Sequence, residues 1–388
     1  MNGISEDYAG QGQGPASEAT GVGARKCACT STSPCRASAP PAASWIVGSV
    51  NTPIGDVPVV STRLEMADWL GTWKARWGIN RMVYWVVPGL YAVGKPTSDS
   101  PVLVSANYKL SFDRLRSQLG GVHAWIMVID TNGVNVWCSA GKGTFCADEV
   151  VRRIEAVRLP EVVSDRKLIL PQLSAAGVAA HEVRKRSGFR VVFGPVRAED
   201  LPAFLAAGMQ TTPEMRQVEF PIGERLAVIP VELVQAASKV LLVAACFFLL
   251  AGLGRDGYSA SRAMDAGLFS AALFMLACLA GLTLIPVLLP WLPGRAFSIK
   301  GAWLGLGLLV ALAGYEWPLP GAFENWLTVG AWCLILLSVV SFAAINFTGC
   351  TTFTSVSGAR REVRVAVPIQ AALAGVGIVL WLVGRFVY

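Results

Sequence analysis

The chain has 388 residues, 53% of them hydrophobic, with a positive mean hydropathy; this excludes a purely soluble two-domain protein and places part of the chain in lipid. The net charge of +7 comes from 33 basic and 26 acidic residues without a long basic block, which favours a membrane-facing protein over a nucleic-acid binder. Nine irregularly spaced cysteines with no C-x-x-C pair argue against a secreted disulfide framework, structural zinc and an internal iron–sulfur cluster.

In chain order, residues 1–44 are rich in Gly, Ala, Ser and Pro and lack the apolar core of a signal peptide. They read as a disordered tail, so the region after them is expected in the cytoplasm. In "STRLEMADWLGTWKARWG" the tryptophans at 69, 73 and 77 fall on one helical face closed by Gly78, a core or docking stripe. "SPVLVSANYKLSFDRLRSQLGG" reads as strand, loop and helix, and "HAWIMVID" as a buried strand. "TFCADEVVRRIEAVRL" has helical periodicity, "KLILPQL" is a strand, "GVAAHEVRKRSG" a helix with a Gly stop, "RVVFGPV" a strand and "AEDLPAFLAAG" a helix. This alternation predicts a Rossmann-like α/β domain over residues 45–225, with a mainly parallel sheet covered on both faces. Ligands of such sheets bind beyond the carboxyl ends of the strands.

Residues 226–388 read as an all-α transmembrane domain of about five helices, drawn at 231–253, 266–289, 302–315, 326–347 and 365–387, the third being short. Arg295 and Lys300 follow the second segment, and Arg360, Arg361 and Arg364 follow the fourth, whereas the loop after the third carries only Glu316 and Glu324. Positive-inside counting predicts a multi-pass protein of the cytoplasmic membrane, with the N-terminal domain inside and Tyr388 outside. Trp291, Trp317 and Trp326 sit at segment ends, as interfacial tryptophans do. Glu232 and Lys239 read as snorkelling residues near the inner end of the first span. Cys246, Cys278 and Cys333 read as small core residues. The scarcity of ionisable residues in the spans argues against a transporter and for an anchor or docking platform.

The stretch "NVWCSAGKG", 135–143, follows the strand that ends near Asp130, which assigns Cys138 to the ligand-binding edge. A phosphate loop fails because position 136 is Val and Lys142 is followed by Gly. Three readings remain open on the residues alone: a nucleophile paired with His123 or His181, a buried structural cysteine, or a thiol facing the metal of a bound cofactor. The third gains from Ser139, Ala140 and Gly141, which let a flat ligand approach the backbone. A helix start at this point would also favour the thiolate as a metal ligand.

"NVWCSAGKG" closely resembles the cap-helix signature of the membrane-anchored corrinoid protein family of bacterial mercury methylation. The resemblance extends to "PGLYAVGKP", "SPVLVSANYKLSFD", "LILPQLSAAGVAAHEVRKRSGFRVVFGPV" and "NFTGCTTFTSVSGARREV". The soluble part also resembles the corrinoid-binding domain of the large subunit of the corrinoid iron–sulfur protein, a relative with a cluster domain and without the cap cysteine. Ser139 stands where the signature has Ala. The sequence has no D-x-H-x-x-G pattern to supply a histidine ligand, so Cys138 is the remaining candidate.

The resemblance implies a cobalamin-type corrinoid with Cys138 facing cobalt, and a corrinoid-dependent methyltransferase that delivers a methyl group to mercuric ion. The thiolate would donate electron density through cobalt, as an electrophilic acceptor requires. Asn135 and Lys142 would bound the cap, Trp137 pack against the ring or the domain with Val136 beside it among the cofactor-binding residues, and Ser139, Ala140 and Gly141 allow close approach. Gln172, Ser174 and Gly177 would line the pocket, with Asn107, Tyr108 and Lys109 as weaker candidates. A strand-to-helix turn explains the same residues equally well. The implied partners are a ferredoxin-like electron donor with two 4Fe-4S clusters, a methyl-donor protein or methyl-folate system, and membrane lipid. Cys27, Cys29 and Cys35 could relay mercuric ion as soft ligands. Cys146 is expected on the inner face of the cap helix, and Cys350 has no assignment. The competing function is a corrinoid methyl carrier of one-carbon metabolism, of the acetyl-CoA pathway type, with another native acceptor.

Overall fold

The computed structural model describes residues 43–314, 325–349 and 356–387. The expected tail, Cys27, Cys29, Cys35, Glu316, Trp317, Glu324, Cys350 and Tyr388 lie outside the described residues.

The first domain is a seven-stranded sheet in the order β1-β2-β3-β5-β4-β6-β7. Its strands are β1 (Ile46–Thr52), β2 (Gly55–Val60), β3 (Gly89–Val93), β4 (Val102–Ala106), β5 (Ala124–Ile129), β6 (Lys167–Leu170) and β7 (Arg190–Phe193). β5, β4, β6 and β7 are parallel, and β2 also runs parallel to β3, but β1 pairs antiparallel with β2 and β3 with β5. The sheet is therefore mixed, with a parallel four-stranded half. The β1–β2 hairpin turns at Gly55, φ +109°, a conformation open to glycine.

Helices α1 (Met66–Arg76), α2 (Lys109–Ser117), α3 (Val136–Lys142), α4 (Ala147–Ala156), α5 (Leu159–Val162), α6 (Ala180–Ser187) and α7 (Leu201–Ala206) complete the domain. Strand alternation sorts the core into two layers. On β5, Trp125, Met127 and Ile129 join the core under α4, α5 and α6, while Ala124, Ile126 and Val128 face the core under α2 and α7. The buried side of α1 is held by charge. Asp68 accepts from Lys109 Nζ (2.8 Å) and Arg116 Nη2 (2.7 Å), and Asp113 accepts from both cations (2.6 and 2.7 Å). The Arg116 guanidinium also donates to the carbonyls of Ser61 (2.6 Å) and Arg63 (3.0 Å), tying the chain before α1 to α2.

The remaining helices are α8 (Ile222–Leu250), the short α9 (Ala260–Arg262) running through a π turn into α10 (Leu268–Leu288), α11 (Phe297–Gly314), α12 (Trp326–Ile345) and α13 (Val356–Val387). Four of these segments, 222–250, 260–288, 326–348 and 358–387, are long and apolar enough to cross a membrane. The fifth, Phe297–Ala313, is a shorter apolar helix. α8 starts at Ile222, so the expected domain boundary at 225/226 falls inside a helix.

Basic side chains close helix ends. Arg225 Nη1 donates to the Val287 carbonyl at the end of α10 (2.5 Å), and Arg255 Nη2 to the Val387 carbonyl at the end of α13 (2.8 Å). Lys300 is buried within α11 and donates to the carbonyls of Leu289 (2.8 Å) and Leu292. Cys278 is buried and Cys333 half-buried, but Cys246 is exposed on the helix surface, contrary to its expected core position.

Candidate functional site

The site begins where β4 and β6 lie side by side and their connections leave in opposite directions, β4 toward β5 and β6 toward β7. At such a switch point the two loops part and open a crevice beyond the strand ends. A cavity of about 500 Å3 occupies it, lined by Ser105 of β4, Pro171 after β6 and Gly194 after β7. Asn135, Val136 and Trp137 of the cap close one side, and Phe220, Glu224 and Val228 of the α8 segment another.

The cap is a short helix with defined ends. Asn135 caps α3 by accepting from the Cys138 N–H (2.9 Å), and Gly143 ends it in the left-handed region at φ +79°. Val136 and Ala140 pack on the core, and Ser139 is fully buried, its hydroxyl donating to the Asn135 carbonyl (2.6 Å). Trp137, Gly141 and Lys142 are exposed, and Gly141 has open space where a Cβ would stand. Cys138 is a half-buried free thiol in the first turn. Cys146 lies beyond the end of α3, buried at the N-cap of α4, and not on the inner face of the cap helix.

Asn107 positions the approach to this helix. Its Oδ1 accepts from the Thr131 and Gly133 N–H groups (3.0 and 2.9 Å) and its Nδ2 donates to Asp130 (3.1 Å), so the β5–α3 loop hangs on one buried amide. Tyr108 lines the cavity under the Arg81 guanidinium, 5.7 Å from its ring centroid. Burial holds its phenol above the ordinary value, against the pull of Arg81 and Arg76. Lys109 is taken up by its ion pairs with Asp68 and Asp113.

The β6 turn is brought to the cap but mostly as packing. Ser174 is fully buried, its hydroxyl donating to the Pro171 carbonyl (2.8 Å). Gly177 abuts α3: a Cβ there would stand 2.3 Å from the Phe145 carbonyl oxygen and 2.9 Å from Ala140 Cα. Gly177→Ala should therefore displace the cap and cost roughly 1–3 kcal/mol, read as a lowered thermal midpoint of the detergent-solubilised chain. Gln172 lines a separate cavity of about 490 Å3 with Gln210, Thr211 and Arg216.

Both histidines lie away from the crevice. His123 sits just before β5, at the opposite edge of the sheet, where its Nδ1 accepts from the Lys95 N–H (3.1 Å). His181 is exposed on α6 beside Glu182, 3.4 Å away. No cluster of three or more His, Cys, Asp or Glu residues able to hold a metal ion occurs among the described residues. Sequence reasoning missed the four arginines of the cavity wall, Arg76, Arg81, Arg114 and Arg197. Arg76 and Arg81 flank the turn after α1, whereas Arg114 and Arg197 come from distant stretches, and no sequence pattern joins all four.

Fold and site together define an α/β domain with a ligand crevice at its switch point, followed by helices of membrane-spanning length. Residues 80–205 match the family CO dehydrogenase/acetyl-CoA synthase delta subunit (CdhD). The acetyl-CoA decarbonylase/synthase complex subunit gamma of Archaeoglobus fulgidus is 33% identical over 122 residues, covering 31% of this chain and 26% of the relative. That of Methanopyrus kandleri is 34% identical over 122 residues, with the same shares, and subunit gamma 2 of Methanosarcina mazei is 29% identical over 120 residues, 30% of this chain and 25% of the relative. The chain thus spans about a quarter of the length of these curated relatives. The family match stops before the first long apolar helix.

Proposed function

We propose that this chain is a membrane-tethered corrinoid protein of methyl-group transfer in which Cys138 is the protein-side ligand of cobalt. The observation that carries the reading is a free thiol in the first turn of a capped helix whose Asn135, Val136 and Trp137 line the switch-point crevice, Cys138 itself following them just outside that lining, with both histidines elsewhere. A corrinoid, when bound, supplies a cobalt centre able to accept and release a methyl group. The residues present fit such a group. Asn135 fixes the turn that carries the thiol, Val136 and Ala140 seat the helix on the core, and Gly141 leaves open space beside it. Trp137 and Tyr108 add aromatic surface to the cavity, and its arginines suit the anionic groups of a large polar ligand.

Two acceptors are compatible with this site. The family matched and the similar proteins, named for CO dehydrogenase, acetyl-CoA synthase and acetyl-CoA decarbonylase/synthase, support a one-carbon methyl carrier more strongly than mercury methylation. Mercuric ion as acceptor is supported by the thiol, since a sulfur donor favours delivery of the methyl group to an electrophile. Electrons for resetting the cofactor would come from a ferredoxin-like partner with two 4Fe-4S clusters. The basic loops support a cytoplasmic α/β domain in this reading.

The test is reconstitution of the full-length chain with methylcobalamin. A cobalt spectrum distinct from the free cofactor is expected. Methylmercury formation from a mercuric salt supports the mercuric acceptor, and its absence alongside methyl transfer to an acetyl-CoA synthase supports the one-carbon carrier. A chain that takes up no corrinoid would refute both.

A further inference from the structure

Helix α1 is inside out. Its inward side carries Asp68, in ion pairs with Lys109 and Arg116, Gly71, where a Cβ would stand 2.5 Å from the Tyr84 hydroxyl, and the fully buried Ala75. Its outward face is the tryptophan stripe: Trp69 is 58% exposed, Trp73 54% and Trp77 36%. The stripe is thus not a core face. The following turn continues it, with Met82, Val83 and Trp85 also exposed. A soluble domain rarely leaves so continuous a run of large apolar side chains in water.

We propose that this face, α1 with the turn after it, is a lipid-contacting platform that lays the α/β domain on the headgroup layer of an anionic bilayer. Three observations select lipid as the occupant. The face is continuous with the apolar helices: Gly78, just past α1, abuts Val231 and Val234 of α8, 3.9 and 3.7 Å from its would-be Cβ. This contact lies beside Glu232, in the N-terminal part of α8 that carries Glu224, Arg225, Glu232 and Lys239, before the uncharged run from Val240 to Leu250, so α1 meets α8 on the charged side of that run. Between Met66 and Trp85 the one acidic side chain, Asp68, is buried in ion pairs and Lys74 is exposed, which suits anionic headgroups, while Arg76 and Arg81 face the cavity. The apolar side chains are dominated by tryptophan, the residue suited to an interface that is apolar on one side and wet on the other. The platform bears on the site through Trp85, whose Cβ lies 3.6 Å from the would-be Cβ of Gly133 in the β5–α3 loop. The proposal stands independently of the cofactor reading.

The test uses the full-length chain in nanodiscs of phosphatidylcholine and phosphatidylglycerol, with photoreactive benzoylphenylalanine placed at position 69, 73 or 82 and, as a control, at the exposed position 185 of α6. An aromatic group at these exposed positions leaves packing untouched, so the thermal midpoint should match wild type. Irradiation is expected to add a phospholipid mass at 69, 73 and 82 and not at 185. Adducts to a second protein chain, or no adduct at all at the three positions, would overturn the proposal.

Discussion

Cys138→Ala is expected to leave the α/β domain folded while methyl transfer falls by more than about 100-fold, since loss of a ligand should exceed the 10–100-fold typical of outer-shell partners. The fold should survive because the thiol is half-buried on a helix fixed by other groups: Asn135 caps its first turn, Gly143 its last, and Val136, Ser139 and Ala140 fill its inner side. The cobalt spectrum of the reconstituted variant should lose its sulfur-ligand signature. Cys138→His is the sharper experiment, because it returns a donor of a different kind: on the proposed mercuric acceptor, the variant should retain corrinoid and lose the methylation of mercuric ion expected of the wild type. If either variant kept wild-type turnover, Cys138 would not be the ligand. A variant that binds corrinoid with an unchanged spectrum would lead to the same conclusion.

Asp68→Ala should be among the most destabilising single changes in the soluble domain. It leaves the fully buried Arg116 guanidinium and the buried Lys109 ammonium with Asp113 as their one remaining carboxylate partner. Removing one member of such a buried charge group costs about 3–5 kcal/mol. The measurement is the thermal or denaturant midpoint of the α/β domain within the intact chain, and an unchanged midpoint would contradict the central role given to this network. The same carboxylate has a pH signature. Burial pushes Asp68 up, but hydrogen bonds from Lys109, the Glu65 backbone N–H and Arg116 outweigh it and hold the group below its ordinary value of 3.8. A carboxylate depressed on folding contributes stability that is complete above the unfolded value and is lost as pH falls through the lower folded one. The wild-type advantage over Asp68→Ala should therefore be flat from neutral pH down to about pH 5 and shrink below pH 4.

How much could be read without coordinates depended on the range of the signal. The central strands β5 and β6 were legible because they are buried on both faces and read as short unbroken apolar runs, and the partly exposed edge strand β7 by its apolar run alone; all three fall where "HAWIMVID", "KLILPQL" and "RVVFGPV" place them. The β1–β2 hairpin was not, because an edge hairpin half in water needs no such run. In the site, composition next to a strand end pointed to a turn or helix start around Cys138, while Asn135 as the end of a cap helix came from the family resemblance and not from the local residues. The roles of Asn107, Ser174 and Gly177 were not, since a buried amide that organises a loop and a glycine that admits a neighbouring helix resemble any turn residue until the neighbour is known.

By itself, the sequence determined what short-range chemistry dictates: an alternating α/β region, helices apolar enough for a membrane, and a cysteine just past a buried strand. Strand burial, helix length and turn formation are settled within a few residues of chain. Only the tertiary structure decided the strand order that opens a crevice between β4 and β6, the arginines gathered on its wall from distant segments, and the outward turn of the tryptophan stripe. Each of these depends on partners tens of residues away, such as the Lys109 and Arg116 cations that draw Asp68 inward and leave Trp69 and Trp73 facing out.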